Sequence, residues 1–255
     1  MIDIHCHILP GIDDGAQTEA ETIAMGKQAI KNGIHTVIAT PHHKNRTFDN
    51  YKEEIVTQVK FLNELYKKSN IELIVLPGQE VRIYGELIED IQNGDIQSLN
   101  DSKYLLIEFP SDQIPRYTEQ LFFDIQREGI IPVIAHPERN RDIYTNPNRL
   151  YELVRLGALA QLTSGSLTGV FGKEIKEVSY QLLDSNLIHF IASDAHDTKI
   201  RKFTLNEAYN IVQERYGIGM RYSIEENAKY LIMNENINKL EPQRIQKRKK
   251  LFGLF

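Results

Sequence analysis

His5 and His7 stand two residues apart in Met1-Ile2-Asp3-Ile4-His5-Cys6-His7. In an extended strand both imidazoles project from one face, with Ile4 and Cys6 on the other, and two imidazoles on one face can share a metal ion. Asp194 and His196 repeat that spacing in Ser193-Asp194-Ala195-His196. Between the pairs come Asp14, His42 in Pro41-His42-His43, Glu80 after Gly78-Gln79, Glu108 and His136. These five imidazoles and four carboxylates are more than one ion uses. Mixed nitrogen and oxygen donors without thiolate point to Mn, Fe or Zn in a multinuclear centre. Such a centre makes hydroxide from water at neutral pH and clamps an in-line displacement, which is the chemistry of phosphate-ester hydrolysis. The phosphoryl group needs further counter-charge. Arg139 follows His136 by three residues and Arg201 follows His196 by five, and a planar guanidinium holds a phosphoryl group in two-pronged fashion. Arg139, Arg201, Asp194 and His42 are the candidate catalytic residues.

The elements that must position these side chains read as about seven β/α units. Apolar runs over 36–40, 72–76, 104–107, 131–135, 158–163 and 188–192 follow the first strand, and near-continuous apolar strands are those buried on both faces of a parallel sheet. Helical stretches are expected from Ile23 to Gly33, 51–68, near Gly85, 118–128, 150–156 and 172–184, the first opened by a capping box of Thr18 and Glu21. The metal-type residues fall where the strands end, which is where parallel α/β folds keep function. His189 falls within a strand and reads as structural. A closed or nearly closed barrel is favoured over an open sheet, because His5 and His196 must meet and an open sheet binds at one switch point.

The 255 residues, 41% hydrophobic and 25% charged, suit one soluble domain, assigned to 1–242. No apolar run reaches the roughly 20 residues of a membrane helix, and the first residues form no signal peptide. A cytoplasmic location is expected. Cys6, the one cysteine, excludes an internal disulfide framework and reads as packing. It cannot serve a cysteine-based phosphatase, which needs an arginine where Ile12 stands. Five basic side chains and no acidic one lie in 243–255, so the formal net charge of −5 becomes −10 once those five are set aside. So acidic a body argues against nucleic-acid binding.

The set His5-x-His7, Pro41-His42, Gly-Gln-Glu80, Ile-Glu108-Phe, His136-Pro-Glu-Arg139 and Ser-Asp194-Ala-His196 resembles the polymerase-and-histidinol-phosphatase (PHP) superfamily. Its wording, with Asp13-Asp14-Gly15 and Ala39-Thr40-Pro41-His42-His43, is similar to the manganese-dependent protein tyrosine phosphatases of Gram-positive capsule and exopolysaccharide operons, over residues 1 to about 235. The resemblance implies a distorted seven-stranded (β/α)7 barrel, its active site at the C-terminal ends of the strands, holding three metal ions. His5, His7, Glu80 and Asp194 would surround one ion, Glu80, Glu108 and His136 a second, and Asp14, His42 and His196 a third. Arg139 and Arg201 would stabilise the phosphoryl group, with hydroxide as nucleophile and no phosphoenzyme. The implied partner is a phosphotyrosine-bearing bacterial tyrosine kinase that controls polysaccharide export. His43 and Asp13 align with no ligand role, and either could support the ligands from behind.

The alternative keeps the metals and changes the substrate to a small molecule such as histidinol phosphate, which needs a covered pocket. The loops here are short, favouring an open mouth. Residues 243–255 join a basic run to apolar ends, a segment suited to weak contact with an anionic membrane surface. Of twelve tyrosines, Tyr84 and Tyr117 lie nearest the expected loops, where a substrate ring could stack.

Overall fold

The computed structural model describes residues 1–246. β1 (Ile2–Cys6), α1 (Glu19–Lys31), β2 (Thr36–Ala39), β3 (His42–His43), α2 (Lys52–Lys68), β4 (Ile74–Pro77) and β5 (Glu80–Arg82) form the first part. α3 (Leu87–Asn93), β6 (Tyr104–Glu108), α4 (Thr118–Arg127) and β7 (Ile131–Ala135) follow. The chain continues through α5 (Arg141–Thr145), α6 (Asn148–Arg155), β8 (Leu159–Thr163), α7 (Ser164–Thr168), α8 (Lys173–Asp184) and β9 (Phe190–Ala192) to α9 (Leu205–Tyr216) and α10 (Ile218–Ile232).

All strand pairs are parallel, in two sheets ordered β1-β2-β4 and β3-β5-β6-β7-β8-β9. Two of the expected strands are therefore broken. β2 stops before Thr40-Pro41 and resumes as β3, while β4 stops at Pro77 and resumes, past Gly78-Gln79, as β5. Proline donates nothing to a ladder, and both prolines lie where the chain passes from one sheet to the other. Counting β2 with β3 and β4 with β5 leaves seven units. The last unit meets the first, since Asp194 N–H donates to His5 O and His7 N–H to Ala195 O, both at 2.8 Å, and Cys6 bridges Ala195 in parallel. The ring is a distorted barrel.

Side chains of the strands divide between two apolar clusters. Ile38, Leu106, Val133, Leu159 and Phe190 pack with Ala228 and Leu231 of α10, while Val37, Leu105, Ile107, Ile134 and Ile191 pack against helical residues such as Leu62, Leu121 and Ile125. The first strand departs from strict alternation. Its register against β2 is irregular between Asp3 and Cys6, and Ile4 and Cys6 consequently enter different clusters instead of sharing a face. An extra residue in a ladder has this effect. Thr18 caps α1 by accepting from Glu21 N–H, but the Glu21 carboxylate reaches Gln17 N–H rather than closing the box on Thr18.

α5, α7, α9 and α10 are additions to the elements expected from the sequence. Of the expected tail, Gln243 to Gln246 are described, and they lie against the body. Gln243 N–H donates to Ser185 O, Ile245 N–H to Asn148 Oδ1, and Arg244 bonds Glu152. The remainder of the basic tail, and with it the expected membrane contact, lies outside the described residues.

At the kink between β4 and β5 a Cβ on Gly78 would stand 2.5 Å from Ile38 Cγ2 and 3.1 Å from both Leu99 Cδ2 and Thr40 Cγ2. We expect Gly78→Ala to destabilise the fold by about 1–3 kcal/mol through overpacking, read as a lowered urea midpoint. An unchanged midpoint would mean that the kinked strands can part at no cost.

Candidate metal centre

Six of the seven strand units deliver at least one candidate donor to one end of the ring. β1 and the residue after it supply His5 and His7, β3 supplies His42, β5 supplies Glu80, and Glu108 ends β6. His136 follows β7, while Asp194 and His196 follow β9. His42 and Glu80 were expected in loops just past their strands. The kinks make them the first residues of β3 and β5 instead, paired in register. His136 and Asp194 adopt left-handed backbone, φ 32° and 52°, an uncommon conformation for such residues. Asp194 is fixed there by its N–H bond to His5 O.

The donor atoms converge. His5 Nε2 lies 3.2 Å from His7 Nε2, and each of these nitrogens lies 3.4 Å from both Glu80 Oε2 and Asp194 Oδ1. Two donors held by one ion about 2.1 Å from each, at 90–109° to one another, are separated by about 3.0–3.4 Å. Partners behind the rings fix the tautomers. His5 Nδ1 donates to Gln161 Oε1 at 2.9 Å and His7 Nδ1 to Asp13 Oδ2 at 2.7 Å, so both Nε2 lone pairs face the shared point. Among the described residues, Glu80 Oε2, Asp194 Oδ1, Glu108 Oε2, His42 Nδ1 and His196 Nε2 are buried without a hydrogen-bond partner. Buried polar atoms are normally satisfied. Five orphaned atoms around one centre fit cations.

Two further groupings adjoin the first. His42 Nε2 and His196 Nε2 each lie 3.3 Å from Asp14 Oδ1, and His7 completes that group. His42 Nδ1 lies 3.0 Å from Glu80 Oε2 and 3.9 Å from Glu108 Oε2. His136 Nε2 lies 2.7 Å from Glu80 Oε1 and 3.9 Å from Glu108 Oε1. Glu80 thus belongs to two of the three groups, as a bridging carboxylate would. All nine expected donors come together at this end of the ring.

The arginines meet on one atom. Arg139 Nη2 and Arg201 Nη2 lie 2.8 and 2.9 Å from Asp194 Oδ2, and Arg201 Nη1 lies 3.7 Å from Asp14 Oδ2. Both remain partly exposed, as does Asp14, whose side chain is 48% exposed, so the centre opens to solvent.

Several contributors are not among the nine expected donors. Asp13, besides holding His7, accepts from His42 N–H and Gly15 N–H. Gln161 orients His5. Glu138 is buried and accepts from Thr163 N–H and Ser166 Oγ, tying the loop after β7 to the end of β8. Asn140 caps α5 and donates to Pro110 O and Gln113 O. Arg82 Nε lies 3.1 Å from Glu108 Oε2, a charge pair without hydrogen-bond geometry. His43 is buried beside Asp49, away from the donor groups. His189 accepts Ala160 N–H on Nδ1, and burial holds its pKa at about 3, the behaviour of a structural imidazole. Cys6 is buried, and burial pushes its thiol well up, so it packs and does not react.

Protons gather where cations would sit. Burial opposes charge on every one of these imidazoles, yet the Glu80 and Asp194 carboxylates raise His5, Asp13 raises His7 well above the ordinary value, and Glu80 with Asp14 raises His42 to about 9. Burial and the neighbouring Glu80 charge push Glu108 up to about 7. Burial, joined by Arg139 at His136 and by His7 at His196, holds those two rings down at about 4. Against its burial, Arg139, His5 and Arg201 keep Asp194 well below the usual carboxylate range.

A sequence profile described as "Capsular polysaccharide synthesis, CpsB/CapC" matches residues 1–233. The chain is 52% identical over 255 residues to tyrosine-protein phosphatase YwqE of Bacillus subtilis, covering all of both chains. It is 30% identical over 243 residues to tyrosine-protein phosphatase CpsB of Streptococcus pneumoniae, covering 93% of this chain and all of that one. The crystal structure of YwqE, described with CpsB as unique metal-dependent tyrosine phosphatases, superposes with a TM-score of 0.95 over 97% of this chain and all of the other, at 51% identity. A phosphotriesterase homology protein from Escherichia coli shares the fold alone, with a TM-score of 0.56 at 11% identity over 91% of this chain and 98% of that one.

Ligands bind a cation only when deprotonated. Because His5, His7, His42 and Glu108 are raised, divalent-metal affinity should climb as pH rises through about 7 and on towards 9, with proton release on binding. Calorimetric Mn²⁺ titrations at pH 6.5 and 8 (roughly bracketing neutrality), in buffers of differing ionisation heat, measure both. Equal affinity and no proton release would remove these groups from the ligand set.

Proposed function

The chain belongs to the CpsB/CapC capsular polysaccharide synthesis family, and from that membership and the geometry of the centre we propose that it is a metal-dependent protein-tyrosine phosphatase. Its proposed substrate is phosphotyrosine on a bacterial tyrosine kinase that regulates capsule or exopolysaccharide production. The observation that carries this reading is the division of one carboxylate. Asp194 turns Oδ1 to His5 and His7, where a cation fits, and Oδ2 to Arg139 and Arg201. Cation and anion sites therefore adjoin, as a phosphoryl group bound to both requires.

We assign three ions, manganese by preference over iron or zinc on the strength of the resemblance to manganese-dependent tyrosine phosphatases, the mixed nitrogen and oxygen donors suiting all three metals. His5, His7, Glu80 and Asp194 would hold one, Glu80, Glu108 and His136 a second, and Asp14, His42 and His196 a third. When bound, the ions supply an activated water and Lewis-acid stabilisation of phosphoryl oxygens. Arg139 and Arg201 bind and orient the phosphoryl group and offset charge that grows on it in the transition state. Gln161 and Asp13 hold the His5 and His7 rings to their donor orientation. Phenolate, with a parent pKa near 10, leaves without demanding a strong general acid. The open mouth at half-exposed Asp14 suits a tyrosine carried on a polypeptide better than a small molecule sealed in a pocket.

Residues 1–242 are the proposed catalytic unit. Among the described residues no helix is long and apolar enough to cross a membrane, and we place the protein in the cytoplasm, facing its kinase, with the basic tail as a weak surface contact.

The manganese-loaded protein should show a higher kcat/KM on a kinase-derived phosphotyrosine peptide than on histidinol phosphate, and chelation should abolish it. The reverse preference would move the protein into small-molecule metabolism. Arg139→Ala should keep the metal content, measured by elemental analysis, and lower kcat/KM by about 10²–10³. Unaltered kinetics in that variant would strip Arg139 of its phosphoryl role.

A further inference from the structure

On one side of the metal centre a cavity of about 310 Å³ runs between Glu108, His136 and Arg139 on its inner wall and Phe109 and Phe171 beyond them. That volume accommodates a small ligand, and the wall away from the metals is aromatic. Phe109 is buried, its ring stacked on Phe122 with centroids 6.0 Å apart and planes at 20°. Phe171 is half-buried and supplies the accessible face. The turn between α7 and α8 presents it, with Gly169 and Gly172 on either side at φ 92° and 91°, conformations that favour glycine. The exposed neighbour, Val170, extends the apolar surface outward. Arg139 lies against the same ring, its guanidinium carbon 5.1 Å from the centroid. The arginine that faces Asp194 is thus also the arginine that borders the aromatic wall.

The opposite flank differs. There a cavity of about 260 Å³ is lined by Asp14, Glu21, Asp197 and His196 together with Ala24 and Met25, a mixed surface without a phenylalanine or tyrosine ring. Phe48 also borders the centre, stacked on His42 with centroids 6.4 Å apart, but it is Phe171 that lies against the phosphoryl-facing Arg139. Neither Tyr84 nor Tyr117 lines either cavity; Tyr84 Oη donates to Asp90, and Tyr117 Oη reaches Ile83 O.

We propose that Phe171, backed by Phe109, is the wall on which the ring of an aryl phosphate packs, and that this contact makes the site favour phosphotyrosine over alkyl phosphate esters. The assignment rests on the phosphatase reading above. An aryl ring on Phe171 gains burial and an offset ring–ring contact that an alkyl group lacks, whereas the phosphoryl contacts are common to both.

Phenylphosphonate and methylphosphonate share a non-hydrolysable head and differ in the ring, so their inhibition constants against manganese-loaded protein isolate the contact. Phe171→Ala should weaken phenylphosphonate about tenfold or more and leave methylphosphonate within about twofold, with Phe171→Tyr close to the parent. Retained methylphosphonate binding also shows that the variant is folded. Equal weakening of both inhibitors would mean that Phe171 acts only by steadying Arg139, and no change in either would mean that the ring lies elsewhere. Both results overturn the assignment while leaving the phosphatase reading intact. A parent protein that binds neither inhibitor and does not hydrolyse a phosphotyrosine peptide would overturn the reading beneath it.

Discussion

The site depends on the two oxygens of Asp194 facing in different directions. A carboxylate buried to this degree is costly unless every lone pair finds positive charge or a donor. Here one oxygen meets two arginines, while the other meets two imidazole lone pairs across a gap that suits an ion. The residue sits in left-handed backbone and hangs from His5 O by its own N–H. The bond that closes the barrel is therefore the bond that aims the carboxylate. Scaffold and site share this joint.

Around it the fold solves a problem of crowding. Nine donors have to reach one end of a ring narrow enough for its strand side chains to fill. Breaking β2 from β3 and β4 from β5 supplies the room, because the chain bends at each break and His42 and Glu80 begin new short strands. The rings are then held from behind: Asp13 secures His7 and the backbone of His42, Gln161 secures His5, and the carbonyl of Asp194 secures His196. Such outer partners set tautomer and direction, on which metal affinity depends.

Much of this was legible in the sequence. Apolar β-branched runs end in His, Asp or Glu so regularly that the strand units and eight of the nine donors could be read by position, Asp14 standing in the loop after the first strand, and Arg139 and Arg201 stand close to ligand strands. The breaks were not legible, since Pro41 and Pro77 read as strand terminators and only the packing shows the chain resuming. Gln161 and Glu138 look like any polar residue until the fold gives them partners. Phe171 is a lone aromatic between glycines, with no periodicity to mark its face. The stripe Leu205, Ala208, Tyr209 and Val212 does carry a helical period, but the pattern of strands ending in metal-type residues stops at His196 and gave no reason to follow it.

The joint between β1 and β9 also has a temporal meaning. The bond from Ser193 N–H to Asp3 Oδ1 spans 190 positions, and closing a flexible loop of that length costs about 5 kcal/mol in chain entropy by the logarithmic rule. Contacts so distant in sequence form late. On a growing chain His5 and His7 emerge ahead of the rest of the barrel and wait, without Asp194 or His196, until nearly the whole barrel has been made. Neither the ion assigned to His5, His7, Glu80 and Asp194 nor the one assigned to Asp14, His42 and His196 can find its complete set of ligands before then. An ion that binds the closed ring and not the open chain also holds the ring shut by mass action, so the same metals that equip the site for chemistry lock the two ends of the fold together.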